Sequence, residues 1–521
     1  MKHLAPSFAL YLCFLAQELL VSPANAFRVH GELKKKSELS SRSYGRLGRR
    51  VPMEGDLQNL GDLNYFANIT LGNPPKQIRV LIDTGSSDLT VGDDVPGNQD
   101  SGKKADVNYA IGKVSGPIEF ATLQFEGFTV PKQAYIKDTT GDQTAGQGII
   151  GLGPNSGSVI QDVIPGNDGN TVLNNIFRTN TSTPNFITVL LGRSNDPTDL
   201  FPGDFTVGSV LDGFENITSM PKLPVNEVKT NNGQHWQASL DVNGTIGPDG
   251  QPIVLNSRVK GAGQKLVAAF DTGFSLPQVP RAMADAIYGR VPGAELKNLT
   301  GVGGGPIYTV PCDAELNITF VLGGVRIPIH PLDTVSDSLG RTDDLGNTIC
   351  IGAFQPILPS AQSSTFDMLL GMAFLRNAYM LVNFGDFVDG STKNTNDPYI
   401  QLLPITTDAA EAHSDFVSQR LGGLDSTADL QLLPASVLPD VNDGNPTDDN
   451  KSFSEKLRPY LPYIIAGSSA LGALLIGSIL WCCLSSRKPK YQPLHEPAPV
   501  GHANAPHQPP PYQSYQPQRR Y

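Results

Sequence analysis

The sequence predicts a fold dominated by β-structure and built as two lobes with few short helices, followed by one transmembrane helix near the C-terminus. Three observations predict it. The composition is turn-rich and poor in charge, with 53 Gly, 42 Pro and 17% charged residues among 521. That suits sheets joined by tight turns better than a coiled coil or a helical bundle. From Leu63 to about Leu403, short β-runs alternate with Gly, Pro and Asn turns. The chain also repeats itself: one hydrophobic strand runs into Asp83-Thr84-Gly85-Ser86-Ser87 and another into Asp271-Thr272-Gly273-Phe274-Ser275. Each half later carries an apolar pair ending in Gly, Ile149-Ile150-Gly151 and Leu369-Leu370-Gly371. A chain of this length can bury two sizeable cores, and two copies of one unit facing each other would bring the two aspartates together.

Taken in chain order, the first element is a secretory signal at residues 1–26. Lys2 and His3 precede an apolar run from Phe8 to Val21, followed by the small-residue cleavage pattern Ala24-Asn25-Ala26. Residues 27–50 are basic, with Lys34-Lys35-Lys36, Arg42, Arg46, Arg49 and Arg50. A solvated charge run is one reading. The favoured one is a removable propeptide that screens acidic carboxylates, processed at Arg49-Arg50.

Residues 51–222 and 223–405 are the two expected lobes. Their clearest strand signals are Ile78 to Ile82, Phe186 to Leu190 and Leu266 to Phe270, and the better helical ones are Thr171 to Arg178 and Arg281 to Tyr288. Residues 406–459 turn acidic and polar and read as a flexible stalk. At residues 460–484 the apolar run Leu461 to Leu484 is long enough to cross a bilayer. Arg487, Lys488 and Lys490 follow, which places the tail in the cytosol and makes the chain type I. The folded part then faces the extracellular side or a vacuolar or endosomal lumen.

The seven sequons at Asn68, Asn180, Asn216, Asn243, Asn298, Asn317 and Asn450 all precede that span, where glycosylation would reach them. Of five cysteines, Cys13 leaves with the signal, and Cys312 and Cys350 are the lumenal pair expected to form a disulfide. Cys482 and Cys483 at the cytosolic edge are open to palmitoylation or simply end a helix. The tail, residues 485–521, is expected to be disordered. Its Pro509-Pro510-Pro511-Tyr512 fits a PPxY ligand of WW domains or mere Pro-rich low complexity. A net charge of −11 argues against a nucleic-acid partner.

A single Asp-Thr-Gly is a weak signal, since Asp and Gly both favour turns. Two copies, each after a buried-looking strand and each with a later apolar-apolar-Gly, are far more specific. Two close carboxylates sharing one proton supply a base and an acid together, because like charges at that distance cannot both ionise; the aspartic proteases are the standard illustration. Gly after Asp-Thr permits a tight turn, and Thr offers a hydroxyl for locking the two loops.

On these residues the chain resembles the pepsin-like aspartic proteases from Leu63 to Leu403, of a membrane-anchored, fungal type. Tyr65 to Gly72 resembles the strand that opens the fold, Asp83 to Val91 the first active-site loop, and Gly148 to Gly153 a further motif. Tyr109-Ala110-Ile111-Gly112 resembles the flap hairpin, Asp271-Thr272-Gly273 the partner loop, Cys312 and Cys350 the second-lobe disulfide, and Leu369 to Asn377 the closing motif. The resemblance implies an aspartic endopeptidase acting on extended polypeptides without metal or cofactor. Asp83 and Asp271 would be its catalytic pair, Thr84, Gly85, Ser86, Thr272 and Gly273 its loops, and Tyr109 and Gly112 its flap.

Three positions depart from the family pattern. Thr90 stands where Trp is usual, Ala110 where Gly is usual, and Phe274 where Ser or Thr would bond the second aspartate. The last change predicts a pair that holds its proton more tightly and a less acidic optimum. Two other readings follow from the same residues: a catalytically impaired, peptide-binding membrane protein of this fold, and a membrane adaptor acting through its tail.

Overall fold

The repeat becomes two matching strand contacts. In a computed structural model, strand Lys76–Asp83 lies parallel to Gln147–Gly151, pairing Ile82 with Ile150 and Asp83 with Gly151. In the second half, Val267–Phe270 lies parallel to Met368–Leu370, pairing Ala269 with Leu369 and Phe270 with Leu370. Parallel neighbours need a long crossover, so most of each lobe's other strands are threaded between the two halves of its motif. Val80, Leu81 and Ile82 are all buried, as expected of a strand covered on both faces.

The structure describes residues 57–438 except 110–111, 144, 195–201, 229–232, 300–304, 344, 390–396 and 428–429. The expected signal peptide, propeptide, membrane span, PPxY tail and Asn450 lie outside these residues. Among the described residues no helix is long and apolar enough to cross a membrane.

The first lobe is built on an eight-stranded sheet that also pairs Asn64–Leu71 with Lys113–Phe125, curling the sheet round its own core. Sheets of five, three and four strands make up the second. A further five-stranded sheet joins the halves, with Phe186–Leu191 hydrogen-bonded to Ala378–Asn383. Helices are few and short. The expected ones are present as Val172–Thr179 and Arg281–Tyr288.

At one end of that joining sheet, just after Phe186–Leu191 and just before Ala378–Asn383, a buried ionic cluster ties distant segments together. Asp333 accepts from Arg193 Nη2 at 2.5 Å, Arg376 Nε at 2.6 Å and Asn377 Nδ2 at 2.9 Å. Arg376 also donates to the Asp62 carbonyl at 2.9 Å. Burial alone would push the Asp333 carboxyl up, but the two guanidiniums outweigh it and hold the group well below the usual carboxylate range.

The stretch read as flexible stalk departs from that expectation over its first third. Ala409–Arg420 is a helix capped by Asp408, which accepts from the N–H of Ala410 and Glu411. Its buried positions, Ala412, Asp415 and Phe416, share one face, and Phe416 is fully buried. Arg420 donates to the Val335 carbonyl at 3.0 Å and pairs with Asp337 at 2.9 Å, while His413 meets Glu315 at 2.8 Å. Beyond it, Leu433 and Arg290 exchange hydrogen bonds of 2.8 and 2.7 Å. An acidic composition concealed a segment that needs only one large apolar anchor to dock.

Candidate active site

Both Asp-Thr-Gly loops leave the ends of their parallel strands and meet. Thr84 and Thr272 interlock them in a reciprocal set of four hydrogen bonds. Thr84 Oγ1 donates to the Phe270 carbonyl and Thr272 Oγ1 to the Ile82 carbonyl, each at 2.8 Å. Each hydroxyl in turn accepts the other threonine's N–H at 3.0 Å. All four groups are buried, where such bonds lose no competition to water.

Glycine at 85 and 273 is required by close approach. A Cβ on Gly85 would sit 2.2 Å from Asp271 Oδ2, and one on Gly273 would sit 2.4 Å from Asp83 Oδ1. Each loop therefore passes directly over the carboxylate of the other. The two carboxyls are within hydrogen-bonding range of one another, and both residues are buried.

Their donors differ. Asp83 accepts the Gly85 N–H at 2.9 Å on Oδ1 and the Ser86 hydroxyl at 2.6 Å on Oδ2. Asp271 accepts the Gly273 N–H at 2.7 Å on Oδ1 and a backbone bond from Phe274, with no hydroxyl among the described residues to match Ser86. Burial first, and the Asp83 charge second, push the Asp271 carboxyl well above the usual carboxylate range. Phe274 is half-buried, its ring packed against the main core and its carbonyl accepting the Met372 N–H at 2.8 Å. The phenyl group thus packs in the core, leaving Asp271 without the hydroxyl.

Tyr109 and Gly112, expected of a flap, lie on a separate hairpin. Tyr109 N–H donates to the Gly112 carbonyl at 3.1 Å, closing the turn that follows strand Gln99–Asn108. The Tyr109 ring packs against both the main core and the smaller cluster under that hairpin. At the position where Trp is usual, Thr90 is fully buried and its hydroxyl accepts from the Gln143 amide. Cys312 and Cys350 form a disulfide beside the paired residues Val310 and Cys350. Its closed loop restricts the unfolded chain.

Sequence reasoning missed Gln143, His235 and Trp236. Trp236 Nε1 reaches from the second half to the Leu152 carbonyl at 3.0 Å, and His235 Nδ1 lies 2.9 Å from the Gly85 carbonyl. No motif marks these residues, because their partners are distant in sequence.

Two carboxyls sharing a proton, roofed by mutually interlocked loops, can take a proton from a water while giving one to a carbonyl oxygen. Comparison with known proteins gives the same direction. The sequence profile described as eukaryotic aspartyl protease matches residues 64–97 and 96–388. A probable aspartic-type endopeptidase of Arthroderma benhamiae is 28% identical over 344 residues, covering 62% of this chain and 59% of that protein. Vacuolar protease A of Aspergillus fumigatus is 27% identical, covering 65% and 80%. Pepsin A of Rhinolophus ferrumequinum is 25% identical, covering 63% and 81%. The chain therefore spans less than two thirds of the Arthroderma relative's length. The crystal structure of the aspartic proteinase from Irpex lacteus shares the fold, with a TM-score of 0.51 at 18% identity, over 69% of this chain and 98% of that one.

Proposed function

The chain belongs to the eukaryotic aspartyl protease family, and from that premise we propose that it is an aspartic endopeptidase whose acid–base pair is Asp83 and Asp271. The observation that carries the reading is the reciprocal burial of two adjacent carboxyls beneath each other's glycine loops. Water held between them loses a proton to Asp83 as its oxygen attacks the peptide carbon. Asp271 gives its proton to the carbonyl oxygen, forming a tetrahedral diol. Collapse of the diol breaks the C–N bond: one hydroxyl proton returns to Asp271 and Asp83 passes the proton it took from water to the leaving amine, so that water is added across the peptide bond and the pair again holds one proton. The donors favour this division of roles: Ser86 and Gly85 stabilise charge on Asp83, whereas Asp271 is the group that keeps its proton.

The test is cleavage of a quenched peptide library by the purified full-length chain from pH 3 to 7, with and without pepstatin. Pepstatin-sensitive cleavage is expected; none at any pH, after removal of the basic segment before residue 51, returns the chain to the peptide-binding reading. Phe274→Ser restores a hydroxyl beside Asp271 and should favour its charged form. The alkaline limb of activity should then fall by about one pH unit, the worth of one charge-assisted hydrogen bond. An unmoved limb shows that the missing hydroxyl does not set the pH range.

The same reading includes a type I membrane anchor at Leu461 to Leu484, supported by the length of that apolar run and the basic residues after it. A chain ending at Leu438 should stay in solution without detergent and keep full activity, while the full-length chain requires detergent. Detergent-free solubility of the full-length chain would remove the anchor. A chain ending at Ile405 should be less stable by at least the roughly 1.5–3 kcal/mol of burying Phe416. Equal melting of the 405 and 438 forms would make the docked helix dispensable.

A further inference from the structure

One titratable side chain reaches the first active-site loop from the other half of the molecule. His235 precedes strand Gln237–Ser239, yet its Nδ1 lies 2.9 Å from the carbonyl oxygen of Gly85. That residue's own N–H donates to Asp83 Oδ1 at 2.9 Å, and the next residue, Ser86, donates to Asp83 Oδ2. A single residue therefore separates the imidazole from both donors that hold the carboxylate.

The neighbouring residues keep the ring in place. Trp236 Nε1 donates to the Leu152 carbonyl, and Leu152 N–H donates to the main-chain carbonyl of Asp83 at 2.8 Å. His235 and Trp236 thus grip the surroundings of Asp83 at two points. The Phe366 ring meets the imidazole edge-on, with centroids 5.5 Å apart at 87°. Gln234 Nε2 donates to the His235 carbonyl at 2.8 Å, fixing the backbone behind it.

We propose that His235 is a positioning residue for Asp83: it clamps the Gly85 carbonyl across the two halves, and its protonation tightens the clamp and places a positive charge beside the carboxyl pair. To donate to a carbonyl, Nδ1 must carry hydrogen; a second proton at Nε2 then makes the bond charge-assisted. Burial lowers the imidazole's affinity for that proton, while the Gly85 carbonyl and Asp83 act in the opposite direction. Charging therefore occurs on the acid side of the ordinary histidine value. Among the described residues Asp83 is the charged group that faces the ring. Its own segment presents the neutral Gln234 and Gln237. From the Phe366 side, Asp367 is turned to Ser257 and to the N–H groups of Arg258 and Val267. An imidazolium here stabilises the charged form of the pair, so the acid limb of activity lies lower than it would without it.

The inference rests on the Asp83–Asp271 reading, and the experiment separates the two. The purified full-length chain is assayed as wild type, His235→Gln and His235→Phe, recording kcat and kcat/KM from pH 2.5 to 7 and the melting temperature. Gln keeps a neutral donor: its kcat at the optimum should stay within about twofold of wild type. Its acid limb of kcat/KM should move up by roughly half to one pH unit, less than a direct ion pair would give. Phe keeps the ring without a donor: it should show the same shift and a kcat lowered roughly three- to tenfold, the range of one lost hydrogen bond. Wild-type acid limbs in both variants overturn the proposal. Should Phe fail to fold, the acid limb of the Gln variant decides alone. Absence of pepstatin-sensitive cleavage in the wild type overturns the carboxyl-pair reading itself.

Discussion

Asp271→Asn is expected to lower kcat/KM by about a thousandfold or more while leaving the melting temperature within a few degrees. The variant keeps the shape of the side chain, so the Gly273 N–H retains its acceptor and the loop carrying Gly85 still passes over the group. What it removes is the proton that burial and the Asp83 charge hold on Asp271. An amide neither yields that proton to a carbonyl oxygen nor recovers it in the second half of the cycle, and general acid catalysis is worth about 10²–10⁴ in rate. Asp83→Asn should be as damaging, and the double variant hardly worse than either single one, because the pair acts as one unit. Peptide cleavage with a parallel melting curve measures this. A variant with more than a tenth of wild-type activity would sink the assignment.

The largest effect on stability is expected at Asp333, far from the chemistry in sequence. Asp333→Ala leaves Arg193 and Arg376 buried without their carboxylate, and breaking such a pair costs about 3–5 kcal/mol. The pH dependence follows from the direction of the shift. The native carboxyl ionises far below the unfolded value of about 3.9, so its contribution is complete above that value. It is lost only as the pH falls through the lower native value. The stability gap between wild type and variant should therefore be nearly constant from pH 7 to 4.5 and persist in moderate acid. Denaturant unfolding at several pH values checks it. A gap that closes between pH 6 and 5, or one below about 1 kcal/mol at neutral pH, would mean the cluster carries no such load.

Much of the site was legible because its signals are local. Asp83 and Asp271 each end a run of β-branched or apolar residues, and Gly follows two residues on because the opposite carboxylate leaves no room for a Cβ. Ile150-Gly151 and Leu370-Gly371 repeat for a structural reason, since each apolar pair lies in the strand parallel to the one that ends in aspartate. Phe274 showed in advance that Asp271 lacks a hydroxyl partner. The helix Ala409–Arg420 stayed hidden because its buried face amounts to Ala412, Asp415 and Phe416, too little for an amphipathic period to rise above the acidic background.

The sequence by itself determined the β-rich repeat, the two aspartate loops and the residues that depart from the family pattern, because spacing along a strand or turn fixes which side chains face together. Tertiary structure alone decided how the loops lock and which histidine reaches them. Thr84 and Thr272 are 188 residues apart, and Gly85 and His235 are 150 apart. Contacts over such separations leave no periodicity in a single chain; they exist only once both halves have folded and burial has excluded the water that would otherwise take their hydrogen bonds.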